Sequence, residues 1–281
     1  MEFKTIKFKL RDDGIGILTL NRPEKLNAIS FQMEEDLHQV MDELMVNLEC
    51  RVLILNAEGR AFSAGTDLQE GLILNTKKKP EGYEKFYFLD MPEPLKRKMY
   101  HQWYITKIIQ KMRKISQPII AAIQGSAAGG GFAFAMAADI RIASEDAQFL
   151  NASANIGLSG ADMGGSYFLP RLIGLSRATE MLYSGRAVNA KEAEDCGFLL
   201  KIVEKDNLLD EALKIALEMV AKSPLGLRMT KEAINLSLDS PSLNNILQFE
   251  NSSIVLTFCS KDVNEAANAF FTKKKPHYDL K

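Results

Sequence analysis

Residues 118–138 read PIIAAIQGSAAGGGFAFAMAA, and this stretch constrains the fold more than any other. The run Ile119–Ile123 is apolar without alternation and is bounded by Pro118 and Gly125. It is too short for a buried helix and reads as a strand covered on both faces. The glycines at 129, 130 and 131 then open a run of small and apolar residues suited to a buried helix. The same order occurs earlier, where the apolar run at 51–56 (RVLILN) leads directly into AEGRAFSAGTDL. Buried strands that alternate with glycine turns and helices predict an α/β core with mostly parallel strands.

The rest of the chain fits around these two units. Residues 3–10 alternate and residues 14–20 (GIGILTL) form a second strand-like run, with Asp12–Asp13–Gly14 as a hairpin turn between them. Ser30 is a helix cap for an amphipathic run from Phe31 to Leu48. Residues 71–98, with three prolines and a lysine run, read as an irregular flap. A helix is expected from Tyr100 to Lys114, and short strands at 139–143 and 147–151. Beyond Ser176 helices are expected at 178–184, 190–196 and 208–222, after Pro224, and at 262–270. The predicted organisation is an α/β core over residues 1–200 and a helical region over residues 201–281.

Composition excludes several classes. Lys and Arg total 35 against 36 Asp and Glu, so no strong field draws in nucleic acid or acidic lipid. The cysteines at 50, 196 and 259 and the histidines at 38, 101 and 277 have no metal-ligand spacing, so no metal and no disulfide framework are expected. The first residues lack a signal core and no apolar run is long enough to span a bilayer. The expectation is a cytoplasmic protein without a membrane or nucleic-acid partner.

Two places offer backbone amides to a ligand. Gly65 turns the chain in AFSAGTDL and presents the next amide, Thr66 N–H, while Asp67 caps the turn. Gly129–Gly131 head a helix, whose first amides lack intrahelical partners and carry the positive end of the dipole. Two such donors gripping one oxygen stabilise negative charge as it develops there. The three glycines also suit tight helix–sheet packing, and this second reading carries equal weight in isolation.

The order and spacing of RPEKLNAIS (22–30), AFSAGTDL (61–68), QPIIAAIQGSAAGGGFAFAMAADIRIAS (117–144), DMGGSYFLPRLIG (162–174), SGRAVNAKEAEDCGFLLKIV (184–203) and FFTKKKP (270–276) resemble the crotonase superfamily, the enoyl-CoA hydratase/isomerase family. The resemblance implies a spiral of ββα units followed by a C-terminal helical trimerisation region, in homotrimers or homohexamers. It implies an acyl-CoA substrate, with no cofactor beyond the coenzyme A of that thioester. Motif by motif, the oxyanion hole falls on the amides of Thr66 and Gly130. Lys25, Ala28 and Ala64 fall on the adenine and pantetheine path, and Lys274, with its neighbours Lys273 and Lys275, on the CoA phosphates.

The reaction is less evident. Family hydratases carry one glutamate two residues after the glycine triplet, where this chain has Ala133, and a second four residues before Gly157, where it has Ser153. Asp162 matches an aspartate that shuttles a proton in some relatives and is a nucleophile in others; as a bland alternative it caps the following helix. One carboxylate beside an oxyanion hole suits proton abstraction and return better than addition of water. The leading expectation is double-bond migration in an enoyl- or dienoyl-CoA through Asp162. Hydration of a cyclic or conjugated acyl-CoA, hydrolysis or dehalogenation through Asp162, and acyl-CoA binding without catalysis stand as rivals. Tyr104 is expected to line the acyl pocket and Ser153 to orient substrate or water. His101 is a weaker candidate for the chemistry, since the catalytic histidine that dehalogenase relatives carry on the corresponding helix falls at Thr106 by ungapped counting. Trp103, Phe86 and Phe88 are weaker candidates for shaping the pocket, with core or lid packing as the alternative.

Overall fold

The computed structural model describes residues 3–71, 92–240 and 242–278. Gly14, at φ +82°, closes the expected hairpin between β1 (Ile6–Leu10) and β2 (Ile15–Leu20). Ser30 caps α1 (Phe31–Val46), its Oγ accepting the Met33 amide at 3.2 Å. Met33, Leu37, Val40, Met41 and Leu44 form the buried stripe of α1. After β3 (Val52–Ala57) come α2 (Leu68–Gly71) and α3 (Glu93–Lys114).

The α3 helix starts earlier than the expected Tyr100. Pro92 is its N-cap and a proline occupies its first turn, where the missing N–H costs nothing. Two of the prolines placed in the irregular flap therefore begin a helix. The remainder of the expected flap, residues 72–91 with Phe86 and Phe88, lies outside the described residues.

The chain then runs β4 (Ile119–Ile123), β5 (Ser126–Ala128), α4 (Gly130–Ala137), β6 (Ile140–Ser144), β7 (Gln148–Leu150) and α5 (Ala152–Asn155). It continues through α6 (Gly165–Ile173), α7 (Leu175–Ser184), β8 (Val188–Asn189), α8 (Ala190–Asp195), β9 (Lys201–Val203) and α9 (Leu208–Val220). Three helices close it: α10 (Pro224–Asp239), α11 (Leu243–Phe258) and α12 (Lys261–Thr272).

The main sheet has strand order β1-β2-β3-β4-β6-β9, parallel except at β1. A second layer is built from short pieces: single bridges join Ile29 to Thr66 and Ser63 to Ala127, and β5 pairs with β7, which pairs with β8. Each turn of the chain thus lays one strand in the main sheet, one short strand in the second layer, and then a helix. This is the ββα spiral, followed by the C-terminal helical region. The unbroken apolar strands are covered on both faces, as their lack of alternation requires. Leu53 and Leu55 face the large core with α1 and α3, while Val52, Ile54, Ile120 and Ile142 face Leu208, Ala212 and Ala216 of α9. The first strand past residue 200, β9, still joins the sheet beside β6. Among the described residues no helix is long and apolar enough to cross a membrane.

Candidate active site

The second layer positions the two amides. Ile29 N–H donates to Gly65 O at 2.8 Å and Asp67 N–H to Ile29 O at 2.9 Å. In a parallel bridge this leaves the intervening residue, Thr66, with its own amide turned to the opposite side. On that side lies the start of α4. Gly129 N–H donates to Leu150 O at 3.0 Å, so Gly130 carries the first amide of the helix without a partner. Among the described residues neither the Thr66 nor the Gly130 amide donates a hydrogen bond within the chain.

The glycines have separate tasks. Gly65 has φ +88°, and a methyl group there would sit 2.7 Å from Ala128 O and 3.1 Å from Gly130 N. Gly131 answers to packing, since a methyl group there would meet Ser63 Cβ at 2.6 Å. The packing reading of the triplet thus falls on Gly131, while Gly130 keeps an amide without a partner. Asp67 caps as expected, with Oδ1 accepting Gln69 N–H at 3.1 Å, and its Oδ2 pairs with Arg22 at 3.3 Å. Arg22 also donates to Ala28 O at 2.6 Å and Ala64 N–H donates to Leu26 O at 2.9 Å. The loop carrying Lys25 and Ala28 is thereby fastened beside the Gly65 turn, with Lys25 exposed.

These amides open on a cavity of about 480 Å³. Ala64, Thr66 and Gly130 form one wall, Ser153, Ile156, Leu158 and Asp162 another, and His101, Gln102 and Ile105 of α3 a third. Ala64, Thr66, Gly130, Ser153 and Asp162 are thus brought together from four segments of the chain. Tyr104 is not with them: its ring lies 4.2 Å from that of His38 and stacks at 5.7 Å on Tyr100, outside the described lining. One helical step separates it from His101, which does line the cavity. Lys274 is exposed beyond α12, its amide bonded to Ala269 O, and is not in this lining. Trp103 is 43% exposed beside Lys107, and Asn155 satisfies Gly185 O at 2.7 Å. Ala133 is buried within α4.

Asp162 does not cap the helix after it. The N-cap of α6 is Gly164, with no side-chain cap. The Asp162 carboxylate instead accepts Gln102 Nε2–H at 2.5 Å and Ser153 Oγ–H at 3.3 Å. Its turn is tight: Gly165 N–H donates to Asp162 O at 2.7 Å, and the buried Met163 is held at φ +44°. A non-glycine residue in that region costs about 1 kcal/mol or more, and such strain concentrates at functional sites.

Sequence reasoning missed two residues here, Gln102 and Glu34. Glu34 is fully buried on α1, and its Oε1 lies 2.7 Å from His101 Nε2. Its Oε2 is buried with no hydrogen-bond partner. Burial pushes the Glu34 carboxyl above its ordinary value and His101 opposes that shift. The available signal was positional, because Glu34 falls on the same face of α1 as Met33, Leu37 and Met41.

Two unpartnered amides, a partly exposed carboxylate and a largely apolar lining share one cavity, and these are groups of the kind that hold an enolate oxygen and move a proton near it. The sequence profile of the enoyl-CoA hydratase/isomerase family matches residues 11–281, and the chain belongs to that family. It is 36% identical over 263 residues, covering 93% of this chain and 85% of the relative, to a protein named as a probable enoyl-CoA hydratase from Mycobacterium leprae. It is 30% identical over 270 residues, 95% of each chain, to the 1,2-epoxyphenylacetyl-CoA isomerase of Escherichia coli. The crystal structure of an enoyl-CoA hydratase from Bacillus anthracis superposes with a TM-score of 0.87 at 30% identity, covering 99% of this chain and all of that one.

Proposed function

We propose that the protein moves a double bond in an enoyl- or dienoyl-CoA by proton transfer through Asp162. The thioester oxygen sits between the Thr66 and Gly130 amides. Asp162 removes a γ-proton, the electrons pass into a dienolate whose charge rests on that oxygen, and a proton is delivered at another carbon. The observation that carries this reading is the shared cavity: the one carboxylate in its described lining shares it with the two unpartnered amides.

Water addition has less support. Ala133 and Ser153 occupy the positions that match the two hydratase glutamates, and Ser153 hydrogen-bonds Asp162 in place of a second carboxylate. Ser153 and Gln102 orient the Asp162 carboxylate, and Ala64, Lys25 and Ala28 serve the adenine and pantetheine of CoA. Lys274 serves the CoA phosphates when copies assemble. The copies associate through the C-terminal helices, where Phe258, Phe270 and Phe271 are each more than two-thirds exposed. Native mass spectrometry of the protein is expected to show a trimer or hexamer, and a monomer would count against that assembly.

Product identification tests the reaction. Incubated with 2-enoyl- and dienoyl-CoA thioesters, the protein is expected to yield positional isomers, and Asp162→Asn is expected to abolish them. A 3-hydroxyacyl-CoA product formed equally fast by Asp162→Asn would replace this reading with hydration.

A further inference from the structure

Glu34 ties α1 to α3 through only one of its two buried oxygens. A buried carboxylate is unfavourable unless its oxygens are satisfied, and this one uses a single oxygen, on a single partner. That partner, His101, lines the acyl cavity, is followed directly by the residue that holds Asp162, and stacks edge-on at 4.9 Å against Phe31. A carboxylate at Nε2 fixes the tautomer with its proton there and leaves Nδ1 as the nitrogen open to a cavity ligand. It also stabilises the imidazolium once Nδ1 is protonated.

We propose that His101, positioned by Glu34, is the second proton-transfer group of this cavity and works opposite Asp162. The proposal rests on the isomerase reading above and supplies its missing donor. Asp162 takes the γ-hydrogen as a proton and the C–H electrons enter the dienolate. The His101 imidazolium gives its Nδ1 proton to the α-carbon, forming the new C–H bond. Protonated Asp162 and neutral His101 then reset by proton exchange with water, so that protons balance over a turnover. His101 is the catalytic residue in this scheme and Glu34 a positioning residue. The charged groups around the pair are Glu35 on the same helix, Glu70 on α2, Lys98 on α3 and Asp162 across the cavity.

The test separates two half-reactions in heavy water with an enoyl-CoA substrate: deuterium exchange at the γ-carbon and migration of the double bond. His101→Gln is expected to keep γ-exchange while migration falls by about 10²-fold or more. Glu34→Gln is expected to move the alkaline limb of the kcat profile to lower pH, because the imidazolium loses its stabilising charge. Migration by His101→Gln within about twofold of the parent, or loss of exchange and migration together, would overturn the proposal. So would a Glu34→Gln profile that superimposes on the parent; if that variant does not fold, His101→Gln decides alone. Should Asp162→Asn retain both exchange and migration, the isomerase reading itself fails, a result distinct from failure of His101.

Discussion

At the C-terminal end of α3, Arg113 pairs with Asp139 at 2.9 Å, and Lys231 reaches from α10 to the same carboxylate at 3.0 Å. Lys231 also donates to Met112 O at 3.2 Å and Gln117 O at 2.7 Å, while Asp139 accepts Ile119 N–H at 2.8 Å. Asn235 of α10 bonds Arg113 from both its oxygen and its nitrogen. Toward the N-terminal end of the same helix the accounting differs. Glu34 Oε2 has no partner, and the Thr66 and Gly130 amides face a cavity. The charges of the Arg113–Asp139–Lys231 cluster are all met, because an unmet buried charge is costly, although the neutral Gln117 Oε1 beside them is buried without a partner. Under the proposed function, the two amides at the other end are kept for the thioester oxygen. One helix thus joins a latch to a site.

The largest expected effect comes from the site end. Asp162→Asn should lower double-bond migration by about 10²–10⁴-fold without moving the thermal midpoint, since its carboxylate is only partly buried. A drop in stability equal to the drop in activity would erase the distinction between the two ends. Gly130→Ala places a methyl group 2.7 Å from Ile29 Cδ1 and displaces the first amide of α4. Loss of one such donor lowers kcat by about 10²–10³-fold, to be read in the same assay.

The latch end predicts the reverse. Lys231→Met leaves two carbonyls and one carboxylate short of a donor, and should cost about 3 kcal/mol in urea unfolding while kcat of the folded protein holds. A kcat that falls with stability retained would place the latch in the mechanism.

The middle of the helix gives a pH effect. His38 bonds the Tyr104 carbonyl, and burial, reinforced by Lys111, pushes its imidazole down to about 4. The unfolded chain, with an ordinary histidine near 6.5, binds the extra proton first. The contribution of His38 is therefore complete above pH 6.5 and is lost as pH falls from 6.5 toward 4. It amounts to at most about 3 kcal/mol, and His38→Gln should flatten that part of the urea-midpoint profile.

The strands and glycine turns were legible because their signals are local: unbroken apolar runs bounded by breakers, and a glycine where the chain must turn or be approached. Thr66 and Gly130 followed from those turns and from motif order. The place of Asp162 in the cavity lining was legible only as one of two options, since capping and cavity-lining aspartates look alike in a turn until Gly164 is seen to cap α6. The Glu34–His101 pair joins residues far apart in the chain and depends on how α1 packs on α3, which no local pattern encodes. Tyr104 was expected in the acyl pocket, three residues from His101 on one helix face, but its ring packs on His38 and Tyr100 instead. The start of α3 was missed because proline ends helices and also begins them.

The direct measurement is the infrared spectrum of an enoyl-CoA carrying a ¹³C-labelled thioester carbonyl, bound to the protein. If the Thr66 and Gly130 amides hold that oxygen, the carbonyl stretch moves to lower frequency on binding, and Gly130→Ala reverses most of the shift. A bound carbonyl with the frequency it has in water, or a shift untouched by Gly130→Ala, would contradict the assignment of this cavity as the site.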